Sequence, residues 1–435
     1  MKKTRKLLFQ NPKGMNDILP DDELYWEKAR HTIKGIAEFY NFSRIDTPLL
    51  EDTGLFVRNL GETSDVVEKE MYSFKTKGGD ALTLRPEGTA SIMRAYLQHG
   101  FFSQTQPVRL YYIGAMFRHD NPQRWRYRQF HHAGFEIIGD ADAVYDAQAI
   151  FVVQKALEEL KVKDAIVQIN TLGCRSCRHH YRERLKAYYR NKADKLCRDC
   201  KRRFAKNPLR LLDCKNEEDA AIKEKAPVII DSLCVSCHNH FKNVLEILDF
   251  LRISYQLVPY LVRGFDYYSR TVFEVVPPRG SIDTLPTSQN ALASGGRFDY
   301  LAELLGGRPT PAVGGAIGLD RLIEFIREKN LLKLSRTKPR LFIVQLGDLA
   351  KRKALLLMED FRRIGLGALE SFGKDSIKTQ LRIADKEGTD LALIIGQKEA
   401  HEDNAIIRDM RSGSQETVPI EKVAAIVKRK LARRL

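Results

Sequence analysis

Tyr112-Ile-Gly-Ala-Met-Phe-Arg118-His-Asp-Asn-Pro122 leads through a polar loop into Arg126-Tyr-Arg128-Gln-Phe-His131-His132-Ala-Gly-Phe-Glu136. The two flanks read as strands folded back on each other, joined by a charged loop that begins at Asp120. On alternating strands, Arg118 faces a pocket, while Arg124, Arg126 and Arg128 of the loop project toward a phosphate-bearing partner. A solvated loop edge is the plainer reading of those arginines. His131 and His132 by themselves read as ordinary surface or core histidines, since a metal site needs further ligands at suitable spacing.

Working outward, Ala81–Leu84, Val108–Ile113 and Gly134–Ile138 are strand-like, and a helix is expected from Gly88 to about Gln98. Residues 21–41 form an amphipathic helix, with Leu24, Ala29, Ile33, Ile36, Ala37 and Tyr40 at helical spacing. Asp46-Thr-Pro48 starts an extended run, because a residue before proline is pushed out of the helical region. The pattern predicts an α+β domain, an antiparallel sheet with helices packed against it.

At residue 171 the chain turns helical, basic and cysteine-rich, and strand signals return at Leu257 and Thr271–Val276, so 171–257 reads as an insertion. The expected division is a sheet-based domain in two parts, 1–170 and 258–332, around that insertion, then a linker at 333–339. From 340 to 435 strands and helices alternate (Arg340–Gln345, Leu349–Ile364, Ser376–Lys386, Leu391–Ile395, Ile420–Leu431), which predicts a small α/β domain.

The chain of 435 residues is 43% apolar and 29% charged, a globular balance rather than a disordered one. Apolar runs such as Leu391–Ile395 fall far short of the roughly 20 residues that span a bilayer. After the basic Met1–Lys6 only Leu7-Leu-Phe9 is apolar, too little for a signal peptide, so a cytoplasmic location is expected. The net charge is +16, and it is unevenly placed. Residues 171–257 hold 19 Lys and Arg against 11 Asp and Glu, and residues 340–435 hold 19 against 14, which suits a polyanion touching two regions.

Three further segments carry chemistry. Arg85-Pro86-Glu87-Gly88-Thr89 opens a helix with a carboxylate, a flexible backbone and a hydroxyl, which suits an ammonium group as well as it suits simple capping. Arg263-Gly-Phe-Asp266-Tyr267-Tyr268-Ser-Arg270 is too polar for packing alone, and Ser294-Gly-Gly-Arg297-Phe298-Asp299 follows it. Gly314-Gly-Ala-Ile-Gly318-Leu-Asp320-Arg321 lets a ligand approach the backbone, but it lacks the spacing and the trailing acidic residue of a dinucleotide fingerprint.

All seven cysteines lie in the insertion: Cys174-x-x-Cys177, Cys197-x-x-Cys200, Cys214 and Cys234-x-x-Cys237. In a reducing compartment they point to metal ligation or free thiols rather than disulfides. Four of them complete a structural zinc site; which four stays open, and Cys214 can replace a member of any pair. Cys234-Val-Ser-Cys237-His238 also spells a c-type haem attachment pattern, which is set aside because that chemistry belongs to exported proteins.

Taken together these segments resemble the histidyl-tRNA synthetases, a family of class II aminoacyl-tRNA synthetases, over about residues 9–435. Phe42–Pro48 resembles motif 1, Arg109–Gly139 motif 2 and Gly314–Phe325 motif 3; Leu261–Tyr268 and Ala293–Arg297 resemble the two histidine-specific peptides. The resemblance implies ATP with Mg²⁺, L-histidine and tRNA(His) as partners, a homodimer paired through motif 1, and no membrane. It implies that Arg118 binds the α-phosphate, Arg321 the γ-phosphate, and Arg263 stabilises the phosphoryl transition state. Glu87 and Thr89 match the positions that hold the α-amino group and Glu136 and Tyr268 those that grip the imidazole, with Gly88, His132 and Tyr267 completing the expected histidine-binding set. His132 stands where the family usually has Gln, and Phe298 where it usually has Tyr. Phe372–Asp385 resembles part of the family's anticodon-binding domain. Two rival expectations are an inert relative, the regulatory subunit of ATP phosphoribosyltransferase, and a zinc-containing RNA-binding module. The first lacks the anticodon domain, and the second leaves the ordered motifs unexplained.

Overall fold

A computed structural model describes residues 8–61, 64–214, 216–278, 291–335 and 339–432; Met1–Lys6 and the middle of the expected linker lie outside it. The chain divides into two units, Met1–Leu334 and Ser335–Leu435.

The first unit is built on an eight-stranded sheet. Its order is Ser43–Arg44, Val108–Phe117, Gln129–Ile138, Ala312–Gly318, Ala293–Arg297, Ser269–Val276, Ile166–Thr171 and Tyr255–Leu257. The long pair at its heart is the stretch quoted first, in antiparallel register from Val108 opposite Ile138 to Phe117 opposite Gln129. The interior pairs are antiparallel as expected, but both outermost pairs are parallel. Helix Glu23–Phe39 buries Trp26, Ala29, Ile33 and Ala37 along one stripe. Helix Ala143–Glu159 is buried on nearly every face and is capped by the Asp142 carboxylate, which accepts from the Val144 N–H at 2.9 Å. A smaller sheet, ordered Leu50–Asp52, Ala81–Leu84 and Tyr72–Lys75, leads into helix Thr89–Gln98.

The cysteine-rich segment contains helices Arg175–Arg190, Arg198–Lys206, Glu217–Lys223 and Val235–Phe250. The last of these sends Phe241, Val244 and Leu248 into the same core as Ala147, Ile150 and Val153.

In the second unit the strand order is Ala368–Glu370, Leu341–Gln345, Leu391–Ile395, Asn404–Asp409 and Gln415–Pro419, the first three parallel and the rest antiparallel. Helices Asp348–Arg363, Ile377–Glu387 and Ile420–Ala432 match the expected ones; strands Ala368–Glu370, Asn404–Asp409 and Gln415–Pro419 are additional. Among the described residues no helix is long and apolar enough to cross a membrane.

Candidate active site

The first unit holds a cavity of about 380 Å³ at the face of the large sheet, lined by residues from seven separate stretches of chain. Strand Val108–Phe117 delivers Arg118 just past its end, where Nε donates to the Pro86 carbonyl at 2.9 Å. The guanidinium carbon lies 5.2 Å from the centre of the Phe130 ring and 5.3 Å from that of Phe265, within cation–π range of both.

Glu87 caps the helix start, with its two oxygens accepting from the Thr89 N–H at 2.7 Å and the Ala90 N–H at 2.8 Å. Burial nevertheless pushes its carboxyl above the ordinary range. Thr89 Oγ1 donates at 2.9 Å to Glu136, which sits behind the cavity wall on strand Gln129–Ile138. The second Glu136 oxygen, Oε2, is buried with no hydrogen-bond partner. Space for these groups comes from glycine: a Cβ at Gly88 or Gly134 would collide with the Tyr112 ring, and one at Gly314 with Glu136.

Arg263 is held by an ion pair with Glu274 and donates from Nη2 to Ser294 Oγ at 2.7 Å. Its guanidinium lies 5.6 Å from the centre of the Tyr268 ring. Tyr267 and Tyr268 stack obliquely at 4.6 Å. Arg321, in the first turn of helix Leu319–Glu328, donates to the Ala291 carbonyl at 2.5 Å.

His132 is driven down to about 3, first by burial and then by Arg118 and Arg321, so its ring is neutral. A neutral imidazole has one donor and one acceptor, the pair a glutamine amide presents, which explains how His can occupy a position usually held by Gln. Phe298 lies outside the cavity lining, packed edge-on against Tyr267 at 6.0 Å. It shapes that ring's seat without reaching the lining itself.

The loop arginines divide. Arg126 lines the cavity in an ion pair with Asp120; Arg128 donates from Nε to the Asp120 carbonyl at 3.0 Å; Arg124 pairs with Glu328 at 2.5 Å. The sequence reading did not include Arg210 and Asp213, which the insertion contributes to the lining, nor Asp65 and Glu70. Nothing local distinguishes them in a chain this rich in charge. The seven cysteines stand outside the cavity in two groups: Cys174, Cys177, Cys234 and Cys237, and Cys197, Cys200 and Cys214 with Asp219.

Burial, reinforced by nearby Glu87 and partly offset by the Thr89 hydroxyl, raises Glu136 from the usual carboxyl range to about 8. Its folded pKa is thus above its unfolded one, so the folded chain keeps a proton that the unfolded chain has released. That stabilising contribution is complete below about pH 4.5 and is lost as pH rises toward about 8, a change on the order of a few kcal/mol. Glu136→Gln is therefore expected to gain stability relative to the parent between pH 6 and 9 in urea unfolding. Parallel pH profiles for parent and variant would refute this.

The arrangement is a polar cavity in which the half-buried Arg118, Arg263 and Arg321 share the lining with the Glu87–Thr89 helix start. Such a site can neutralise a transferring phosphoryl group while gripping a small zwitterion. Comparison with known proteins agrees. Residues 14–322 match the family described as histidyl-tRNA synthetase, and residues 341–430 match the anticodon binding domain. The histidine–tRNA ligase of Dehalococcoides mccartyi is 43% identical over 424 residues, covering 98% of this chain and all of the relative. That of Thermodesulfovibrio yellowstonii is 42% identical over 418 residues, covering 96% of this chain and 98% of the relative. The apo crystal structure of S. aureus histidyl-tRNA synthetase superposes with a TM-score of 0.78 at 32% identity, over 96% of this chain and 99% of that one. With both regions matched and relatives aligned along nearly its whole length, this chain belongs to the histidyl-tRNA synthetase family.

Proposed function

We propose that the chain is a histidine–tRNA ligase. It activates L-histidine with ATP, bound as the magnesium complex, and transfers the histidyl group to the 3′ end of tRNA(His). The observation that carries this reading is the convergence of Arg118, Arg263 and Arg321 with the Glu87–Thr89 helix start on one cavity.

In the first step the histidine carboxylate attacks the α-phosphorus of ATP, forming histidyl-adenylate and releasing pyrophosphate. Arg118 binds the α-phosphate and Arg321 the γ-phosphate, and Arg263 meets the charge that builds on the phosphoryl oxygens. Glu87, Gly88, Thr89 and His132 surround the α-amino group. Tyr267, Tyr268 and Glu136 form the imidazole subsite, Glu136 being linked to the cavity lining through Thr89 Oγ1. In the second step a terminal ribose hydroxyl of tRNA attacks the activated carbonyl and AMP leaves.

Arg124, Arg126 and Arg128 face the acceptor end of the tRNA. Residues 171–257 serve as an insertion against the tRNA body, and 340–435 bind the anticodon. The two parts at 1–170 and 258–332 make the catalytic domain, with 333–339 as the linker. A homodimer forms through Phe42–Pro48, whose short edge strand Ser43–Arg44 supports that role, and the enzyme works in the cytoplasm. Structural zinc held by cysteines of the insertion takes no part in the chemistry.

ATP–pyrophosphate exchange tests the reading. Histidine is expected to support it, and amino acids that cannot satisfy the imidazole subsite should be disfavoured by roughly 10⁴-fold, because they leave buried polar groups unpaired. Equal exchange with another amino acid, or none with histidine, would overturn it.

A further inference from the structure

We propose that the insertion binds two zinc ions, one through Cys174, Cys177, Cys234 and Cys237 and the other through Cys197, Cys200, Cys214 and Asp219. In each group the four candidate ligand atoms lie within 4.8 Å of one another. Four ligands about 2.3 Å from one zinc sit roughly 3.8 Å apart at the corners of a tetrahedron. Cys174 and Cys177 Sγ are separated by 3.6 Å, and Cys197 and Cys214 Sγ by 3.8 Å.

The backbone is arranged for thiolates. Each Cys-x-x-Cys pair places its first cysteine at the N-cap of a helix: Cys174 before Arg175–Arg190, Cys197 before Arg198–Lys206, and Cys234 before Val235–Phe250. Helix starts present unpaired N–H groups and a partial positive charge. Sulfurs collect such donors here: the Cys234 N–H reaches Cys177 Sγ at 3.1 Å, the Cys200 N–H reaches Cys197 Sγ at 3.5 Å, and the Asn216 N–H reaches Cys214 Sγ at 3.4 Å.

Asp219 completes the second set. It is 3% exposed, although it follows Glu217-Glu218 in what reads as a solvated acidic run. Its Oδ1 accepts from the Cys197 N–H at 3.1 Å, leaving Oδ2 turned toward the sulfurs, 3.0 Å from Cys214 Sγ. One oxygen held by backbone while the other faces the centre is how a ligating carboxylate is oriented. A four-ligand, sulfur-rich, tetrahedral set selects zinc among common divalent ions.

The two ions hold different parts of the insertion. The four-cysteine site joins its first helix to its last. The start of that first helix is anchored to the sheet, where Leu172 N–H reaches the Arg270 carbonyl at 2.6 Å, and Arg178 Nη1 reaches the Tyr268 carbonyl at 2.9 Å. The second site closes the loop from Cys197 to Asp219, whose turn carries Arg210 and Asp213 into the cavity lining. That loop docks through Arg203 and Arg210 on Asp65, at 2.9 and 2.6 Å.

Metal analysis of the full chain, purified without added zinc, is expected to find two zinc ions per chain. Asp219→Ala should drop the count to one, and Asp219→Cys should keep two. Where Asp219→Ala does not fold, X-ray absorption of the parent decides. Seven sulfurs and one oxygen shared by two ions give an average of about 3.5 sulfurs per zinc, against four for a single all-cysteine site. A count below two, two ions retained in Asp219→Ala, or an average of four sulfurs would overturn the proposal. The metal count does not depend on ligase activity, so it can fail while the exchange assay succeeds, and the reverse.

Discussion

Arg263→Ala is expected to lower the turnover of histidine-dependent ATP–pyrophosphate exchange by roughly 10²–10³-fold, with a much smaller change in the KM for ATP. The size follows from where the cation sits. Its guanidinium is oriented by Glu274 and by Ser294 Oγ at 2.7 Å, so in the role proposed for it the cation is fixed before substrate arrives and would meet charge that exists only as the phosphoryl group is transferred. An interaction made only in the transition state lowers turnover when removed, whereas uniform binding would have raised KM. Arg263→Lys should recover only part of the loss, because a single ammonium cannot hold both partners and still present a planar fork. Unchanged turnover in folded Arg263→Ala would remove this residue from the mechanism. A loss confined to KM would reassign it to ground-state binding.

Ending the chain at Leu334 is expected to leave histidine-dependent exchange within about 2-fold of the parent and to cut tRNA charging at subsaturating tRNA by ~10²-fold or more. The boundary falls between two units, and each has its own core. Phe273, Val313 and Leu322 belong to the core of the first, and Leu341, Phe361 and Leu393 to that of the second. Every residue proposed to bind ATP or histidine lies in the first unit, so adenylate formation is expected to need nothing after Leu334. Charging loses a second contact on the same polyanion, and losing one of two linked contacts costs far more than its share of the surface. Undiminished charging by the shortened, folded chain would show that the tail does not bind tRNA. Loss of exchange together with a change from dimer to monomer in gel filtration would assign the tail to assembly instead.

Many of the cavity-lining residues were legible because the sequence concentrates unusual polar side chains in short stretches. Arg118, Glu87, Thr89, Arg263, Tyr268 and Arg321 each stand in a segment whose local pattern, a strand end or a helix start, already aims them somewhere specific. The same holds for the quoted strand pair, whose alternation and polar loop imply a hairpin before any contact is known. Helix Ala143–Glu159 escaped notice for the opposite reason: it is buried on almost all sides and so shows no one-sided stripe. Strands Asn404–Asp409 and Gln415–Pro419 are short, and the second exposes most of its residues, leaving little alternation to detect.

By itself the sequence determined the α+β class, the basic α/β tail and the arginines that line the cavity, because periodicity and local residue type carry that information. Only the tertiary structure decided what depends on neighbours distant in the chain. It joined Cys174 and Cys177 to a pair about 60 residues away, and set Cys214 beside Cys197 and Cys200 with a carboxylate that the local charge pattern hides. It brought Arg210 and Asp213 into the cavity wall and set Glu136 among apolar and acidic neighbours that raise it to about 8. Cysteine pairing has several solutions at the same spacing, and burial is a property of the packed chain, so neither can be read from the order of residues alone.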